Sequence, residues 1–167
     1  MRPKIPERVR PTLHYGRDII ETAGTFLQEL VLCLLQCGQY SLADKVIIKA
    51  EEVDLQSVDI LDLHFLYSNL GKFFYGIRDT NPHALARAID ACEKQIAIAP
   101  KAIIACNLAF NGTLTSHYGY KQLAIIREKL KDYAGAVRLC QQALDQGWDG
   151  DWQKRISKLQ EKIAKQS

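Results

Sequence analysis

Residues 119–147 read Gly-Tyr-Lys-Gln-Leu-Ala-Ile-Ile-Arg-Glu-Lys-Leu-Lys-Asp-Tyr-Ala-Gly-Ala-Val-Arg-Leu-Cys-Gln-Gln-Ala-Leu-Asp-Gln-Gly, and the spacing predicts one helical hairpin. In the first half, Tyr120 and Leu123 are followed by the small Ala124, which leaves a gap beside the bulky stripe. In the second half, Ala136 and Ala143 stand one above the other, so two backbones can approach along a shared seam as ridges settle into grooves. Gly147 closes the unit, as a glycine past the last turn commonly does. The hairpin recurs twice upstream, and a chain of such hairpins is usually a binding scaffold rather than a catalyst.

Upstream, Leu27, Leu30, Val31, Leu34 and Leu35 follow helical spacing from about Thr22 to Gln36, and Gly38 ends that helix. A second helix is expected from about Ser41 to Glu52, with Ala43, Val46, Ile47 and Ala50 on one side. Ser57 reads as the N-cap of a long helix over 58–78, whose buried stripe is Leu63, Leu66, Leu70, Phe73 and Ile77. Pro82 is placed in the first turn of the next helix, which Pro100 is expected to stop. A short extra helix is predicted over 101–110 and a loop over 111–116, so Asn111-Gly112-Thr113 reads as a turn rather than a glycosylated sequon. A last helix over 151–165 carries Trp152, Ile156, Leu159 and Ile163 on one face and basic residues elsewhere. It is expected to cap the apolar end of the stack. No segment alternates with period two, so no sheet is expected. The chain is therefore read as all-α, with hairpins over about 22–53, 58–99 and 118–147 in one helical domain over 17–167. A basic, proline-containing arm over 1–16 precedes it.

These residues resemble the tetratricopeptide repeat family. The middle hairpin matches the family's first-helix pattern with Tyr67, Leu70, Gly71 and Phe74. Ala88 and Pro100 match its second-helix alanine and closing proline, after a longer loop. Gln95 stands where a small alanine is usual and is read as loosening the seam. The last hairpin matches with Tyr120, Leu123, Ala124, Tyr133, Ala136, Cys140 and Ala143. It departs at Arg127, where an aromatic is expected, and at Trp148, where the proline would be. In the first hairpin Leu30, Gly38, Tyr40, Ala43 and Ala50 fit, and Val31 fills the small position. The resemblance covers about residues 25–148, interrupted by 101–118.

The resemblance implies a right-handed α-solenoid whose first helices line a concave groove that grips a peptide or helix of a partner. Carried over by position, the first hairpin would contribute Gln28, Leu32 and Gln36 to that groove. The second would contribute Phe65, Ser68, Asn69 and Lys72, and the third Lys121, Gln122, Ile125 and Glu128. Asn69 and Lys121 are similar to the polar grip that some family members place on a terminal carboxylate. The expected function is non-enzymatic protein–protein interaction.

Composition is consistent with that class. The apolar fraction of 47% and charged fraction of 25% match a soluble globular protein and not a disordered or fibrous one. Five cysteines form no CxxC pair and are odd in number, which reads as reduced structural thiols in a reducing compartment. Cys33 and Cys37 share a helix face, but no further ligand is spaced to complete a metal site. No apolar stretch follows the basic start, and the longest apolar run, Leu30 to Leu35, is too short to span a bilayer. The cytoplasm is the expected compartment, and no membrane is expected as a partner.

No phosphate-cradling glycine loop, HExxH or GxSxG occurs. His14, His64, His83 and His117 are scattered, and Asp62 faces away from His64. No catalytic residue, metal ligand or cofactor is assigned. The net charge of +3 is uneven: residues 1–20 and 150–167 each carry +3, and the body between them −3. The alternative reading is therefore a nucleic-acid-associated or regulatory protein whose basic termini, Arg2, Lys4, Arg8 and Arg10 among them, contact phosphates. Self-association through the apolar first helix, Phe26 to Leu35, is a further expectation.

Overall fold

The computed structural model of the chain describes residues 23–52, 60–113 and 115–165. The expected arm over 1–16 and the Ser57 cap lie outside those residues. Seven helices occupy the described residues: α1 (Ala23–Gln36), α2 (Tyr40–Glu52), α3 (Ile60–Gly76), α4 (Ala84–Ala109), α5 (Tyr118–Lys129), α6 (Tyr133–Asp145) and α7 (Trp152–Ala164). The only extended pairing among the described residues is an isolated bridge between Ser116 and Asp149. None of these helices is long and apolar enough to cross a membrane.

Local chemistry sets the helix ends. Gly38 takes φ +72°, and the next amide, Gln39 N–H, donates back to the Leu34 carbonyl at 2.8 Å. A left-handed residue just past a helix satisfies orphaned carbonyls in this way. At the start of α6 the Asp132 carboxylate accepts the Gly135 N–H at 2.8 Å, which satisfies an orphan donor of the first turn. The entry to α4 differs from expectation. The Asn81 side chain accepts the His83 N–H at 3.0 Å and holds Pro82 in a turn ahead of the helix.

The larger correction concerns Pro100. It does not end a helix: α4 runs through it for 26 residues, and the predicted short helix over 101–110 is its last part. An interior proline removes one backbone hydrogen bond and crowds the preceding turn. Here Pro100 itself is exposed, while Ala99, Ala102 and Cys106 on the other side are fully buried. Burial of that face on both sides of the proline outweighs the local break.

Packing follows the hairpin order. α1 lies against α2, α3 against α4, and α5 against α6, while α4 also contacts α5 and α7 covers α6. The first helices of the hairpins are neighbours too, α1 with α3 and α3 with α5. Thr25 Oγ1 donates to Asp62 at 3.3 Å near the starts of α1 and α3. Lys129 Nζ donates to the Tyr75 hydroxyl at 3.0 Å near the ends of α3 and α5. These three helices therefore run in the same sense.

The seam residues are where the spacing put them. Ala43, Ala88 and Ala136, one per hairpin, are each 0% exposed. A Cβ on Gly71 would stand 2.8 Å from the Tyr118 ring, so only glycine lets α3 and the start of α5 meet this closely. One apolar cluster joins α1 to the first part of α4, and a second joins the end of α4 to α5, α6 and α7. Cys92, Cys106 and Cys140 are buried, but Cys33 and Cys37 are exposed. Cys33 is thus not the small buried hydrophobe its apolar surroundings suggested, because it falls on the outer side of α1, away from α2 and α3.

Candidate functional site

On α3 the outward stripe is narrow, because α1, α4 and α5 cover the rest of its circumference. Phe65, Asn69 and Lys72, spaced four and three apart, share that stripe, and Phe65 and Lys72 are exposed while Asn69 is half-buried. On α5 the matching stripe holds exposed Lys121 and half-buried Ile125. On α1, Gln28 and Leu32 are half-buried and Gln36 is exposed, each one turn from the next. The three stripes lie on helices that pack side by side and run the same way.

Three of the sequence-assigned residues are not available to a partner. Ser68 and Gln122 are buried. Ser68 falls to one side of the Phe65–Lys72 stripe, and Gln122 lies about 100° round the helix from Lys121, so packing helices cover both. Glu128 is taken from within the molecule. It accepts from Arg155 at 2.7 Å and from Lys162 at 2.6 Å, both on α7. The Lys162 hydrogen bond, with help from Arg155, holds the Glu128 carboxyl below the usual carboxylate range. α7 reads from sequence as a covering helix, but its grip on α5 has no signal there, since pairing across 27 and 34 residues leaves no periodic trace.

The electrostatics of the remaining stripe are positive. Lys72 Nζ stands 5.6 Å from the centre of the Tyr118 ring, an attraction worth about 0.5–1 kcal/mol at an exposed site. Neither Lys72 nor Lys121 has a carboxylate partner among the described residues. At the far end of the stripe Tyr75 receives the Lys129 hydrogen bond, which is the main cause lowering its phenol below the ordinary range. Arg78 also lies 4.2 Å over the Tyr75 ring.

The two roomiest of the clefts described lie elsewhere. One, of about 380 Å³, lies between α2, α3 and α4, with Ile47, Tyr67 and Leu70 in its lining. The other, of about 430 Å³, lies between α4, α5 and α6. Much of their rim charge is matched: Arg87 pairs with Asp44, Asp90 with Lys94 at 3.2 Å, and Arg127 with Asp132 at 3.4 Å, while Glu93 and Arg138 also line the second. Arg87 also lies 3.9 Å over the Phe74 ring, so this pair ties α2 to α4 and α3. Among the described residues no three or more His, Cys, Asp or Glu side chains gather as metal ligands would.

The side chains that sequence reasoning missed as a group are His64, Gln95, His117 and Trp148, which meet in one buried cluster. Gln95, read as loosening the seam, does the reverse. Its Nε2 donates to the His64 carbonyl at 3.0 Å, and its Oε1 accepts the Gly119 N–H at 2.7 Å. One fully buried amide thus ties α3, α4 and α5 together. No family model matches the chain, and no curated protein or solved structure is significantly similar to it.

Proposed function

We propose that the chain is a non-enzymatic, tetratricopeptide-like scaffold that takes a peptide or helix of a partner protein along α1, α3 and α5. The observation that carries this reading is the alignment of Phe65, Asn69 and Lys72 on α3 with Lys121 and Ile125 on the neighbouring α5. The stripe mixes an exposed aromatic, aliphatic bulk and two cations with no carboxylate partner among the described residues. That combination suits an acidic, partly apolar segment, since opposite charge steers encounter and apolar anchors slow release. The clefts on the other faces fit such a partner less well because acidic and basic side chains both line them, most of them already paired.

Charge reversal tests this. Lys72 and Lys121 are exposed, so a variant with Lys72→Glu and Lys121→Glu should keep the helical spectrum and melting temperature of the parent. Its capture of the partners that the parent recovers should fall at least tenfold. Recovery of the same proteins in unchanged yield would show that the stripe is not the binding surface.

A further inference from the structure

Two imidazoles are buried around one indole where α3, α4, α5 and the turn before α7 converge. The His64 ring lies parallel to Trp148, with centroids 5.4 Å apart and planes 3° from parallel. His117 meets the same indole edge-on at 4.7 Å, and the two imidazoles are 5.1 Å apart. His64 is 3% exposed and His117 0%. Close by, Asp149 N–H donates to the Thr115 carbonyl at 3.0 Å, which pins the turn to the loop before α5.

The hydrogen bonds leave both rings neutral, with no room for a second proton. His117 caps α5: its Nδ1 accepts the Tyr120 N–H at 3.2 Å, so its one proton is on Nε2, which makes no hydrogen bond of normal geometry among the described residues. The Gln95 amide nitrogen stands 3.4 Å from His64 Nε2, a donor facing an acceptor, so the proton of His64 is on Nδ1, which has no hydrogen-bond partner among the described residues. A proton added at His117 Nδ1 removes the acceptor that caps α5 and sets a cation at the positive end of the helix dipole. A proton added at His64 Nε2 turns it into a second donor against the Gln95 amide.

The surrounding charges offer no compensation, and the backbone carbonyls of Gln95 and His117, which favour a proton on His117, are outweighed by burial. α3 presents Lys72, whose charge opposes a proton on His64, and His64 in turn opposes one on His117. α4 brings the neutral Gln95 and Cys92, α5 brings Tyr118 and Tyr120, and the turn brings Trp148 with the exposed Asp149. Asp149 is not among the groups that shift either ring.

We propose that this junction is an acid-sensitive joint: protonation of His64 and His117 breaks their packing on Trp148 and parts α5–α7 from α3 and α4. Burial is the main cause that lowers His64 to about 4 and His117 to about 3, from the ordinary 6.5. The closed joint therefore refuses protons that the open chain accepts as pH falls through 6.5. Its stability is complete above that value and declines below it. Each histidine weakens closure up to tenfold per pH unit in this window, and the two together up to a hundredfold.

The test is equilibrium unfolding of the full chain by tryptophan fluorescence between pH 7.5 and 5. Below pH 6 the folding constant of the parent should fall by close to a hundredfold per unit. His64→Gln, or His117→Asn (which keeps a capping oxygen), should reduce this to about tenfold, and the double variant should be nearly flat. A parent slope equal to that of the double variant overturns the proposal. Should the variants fail to fold, the ring protons of the parent decide by nuclear magnetic resonance: both must stay unshifted from pH 7 to 5, and a midpoint near 6.5 for either is fatal. Hydrogen exchange at pH 5.5 locates the opening. It should accelerate in the first turns of α5 and α7 ahead of α1 and α2, and uniform acceleration overturns the joint.

Discussion

Gly119 stands at the first turn of α5 with no room for a side chain. A Cβ there would lie 2.8 Å from the Cys92 carbonyl oxygen and 2.9 Å from Gln95 Oε1. The first of these is backbone and cannot swing aside. Gly119→Ala should therefore push α5 off α4, break the bond from Gln95, and cost about 1–3 kcal/mol, the usual range for overpacking. Gly76, at the end of α3, has open space where a methyl group would stand, with no atom within 4 Å of it. Gly76→Ala should leave stability unchanged or raise it by up to about 1 kcal/mol, since alanine is the better helix former. Urea denaturation of the two variants checks the contrast, and equal effects would contradict this packing. At this scale the sequence is legible wherever size alone decides. Spacing marks Ala43, Ala88, Ala136 and Gly71 as contact positions. Gln95 is not legible, because its fit depends on the His64 carbonyl and the Gly119 amide, which lie 31 and 24 residues away.

Among the elements, α4 shows how local and long-range terms compete. Proline in a helix interior costs about 3 kcal/mol relative to alanine, and rigidity in the unfolded chain returns up to about 1 kcal/mol of that. Pro100 is exposed and the helix continues past it, so nothing packed depends on its ring. Pro100→Ala should then stabilise the protein by about 2 kcal/mol, read as a higher denaturation midpoint with an unchanged slope. A loss of stability would mean that the proline shapes α4 in a way its neighbours need. Helix positions are legible to within a few residues because 3.6-residue periodicity is strong in each. The division of 84–109 into two helices fails because it weighs a local breaker without the buried faces of Ala99, Ala102 and Cys106 on either side of it.

For the whole molecule, the packing of α7 on α6 is the place where order is tested. α6 alone would leave its outer apolar side in water, and α7 covers it with Trp152, Ile156 and Leu159, all buried. Trp152 also donates from Nε1 to the Trp148 carbonyl at 2.8 Å, which links the cap to the turn that carries the indole between His64 and His117. The amphipathic stripe of α7 is readable from sequence, but its second anchor through Glu128 is not, because nothing periodic records which distant carboxylate meets Arg155 and Lys162. Trp152→Ala removes the largest side chain of the stripe and should cost about 3–5 kcal/mol, a large share of the roughly 5–15 kcal/mol that holds a domain of this size together. The loss should concentrate in α6 and α7, so hydrogen exchange there should rise while α3 keeps its protection. The newly bared face of α6 should also drive association, seen as a concentration-dependent rise in light scattering. If the variant instead stays monodisperse and loses much less than the roughly 3 kcal/mol lower bound, the last hairpin closes without its cap and α7 has another purpose.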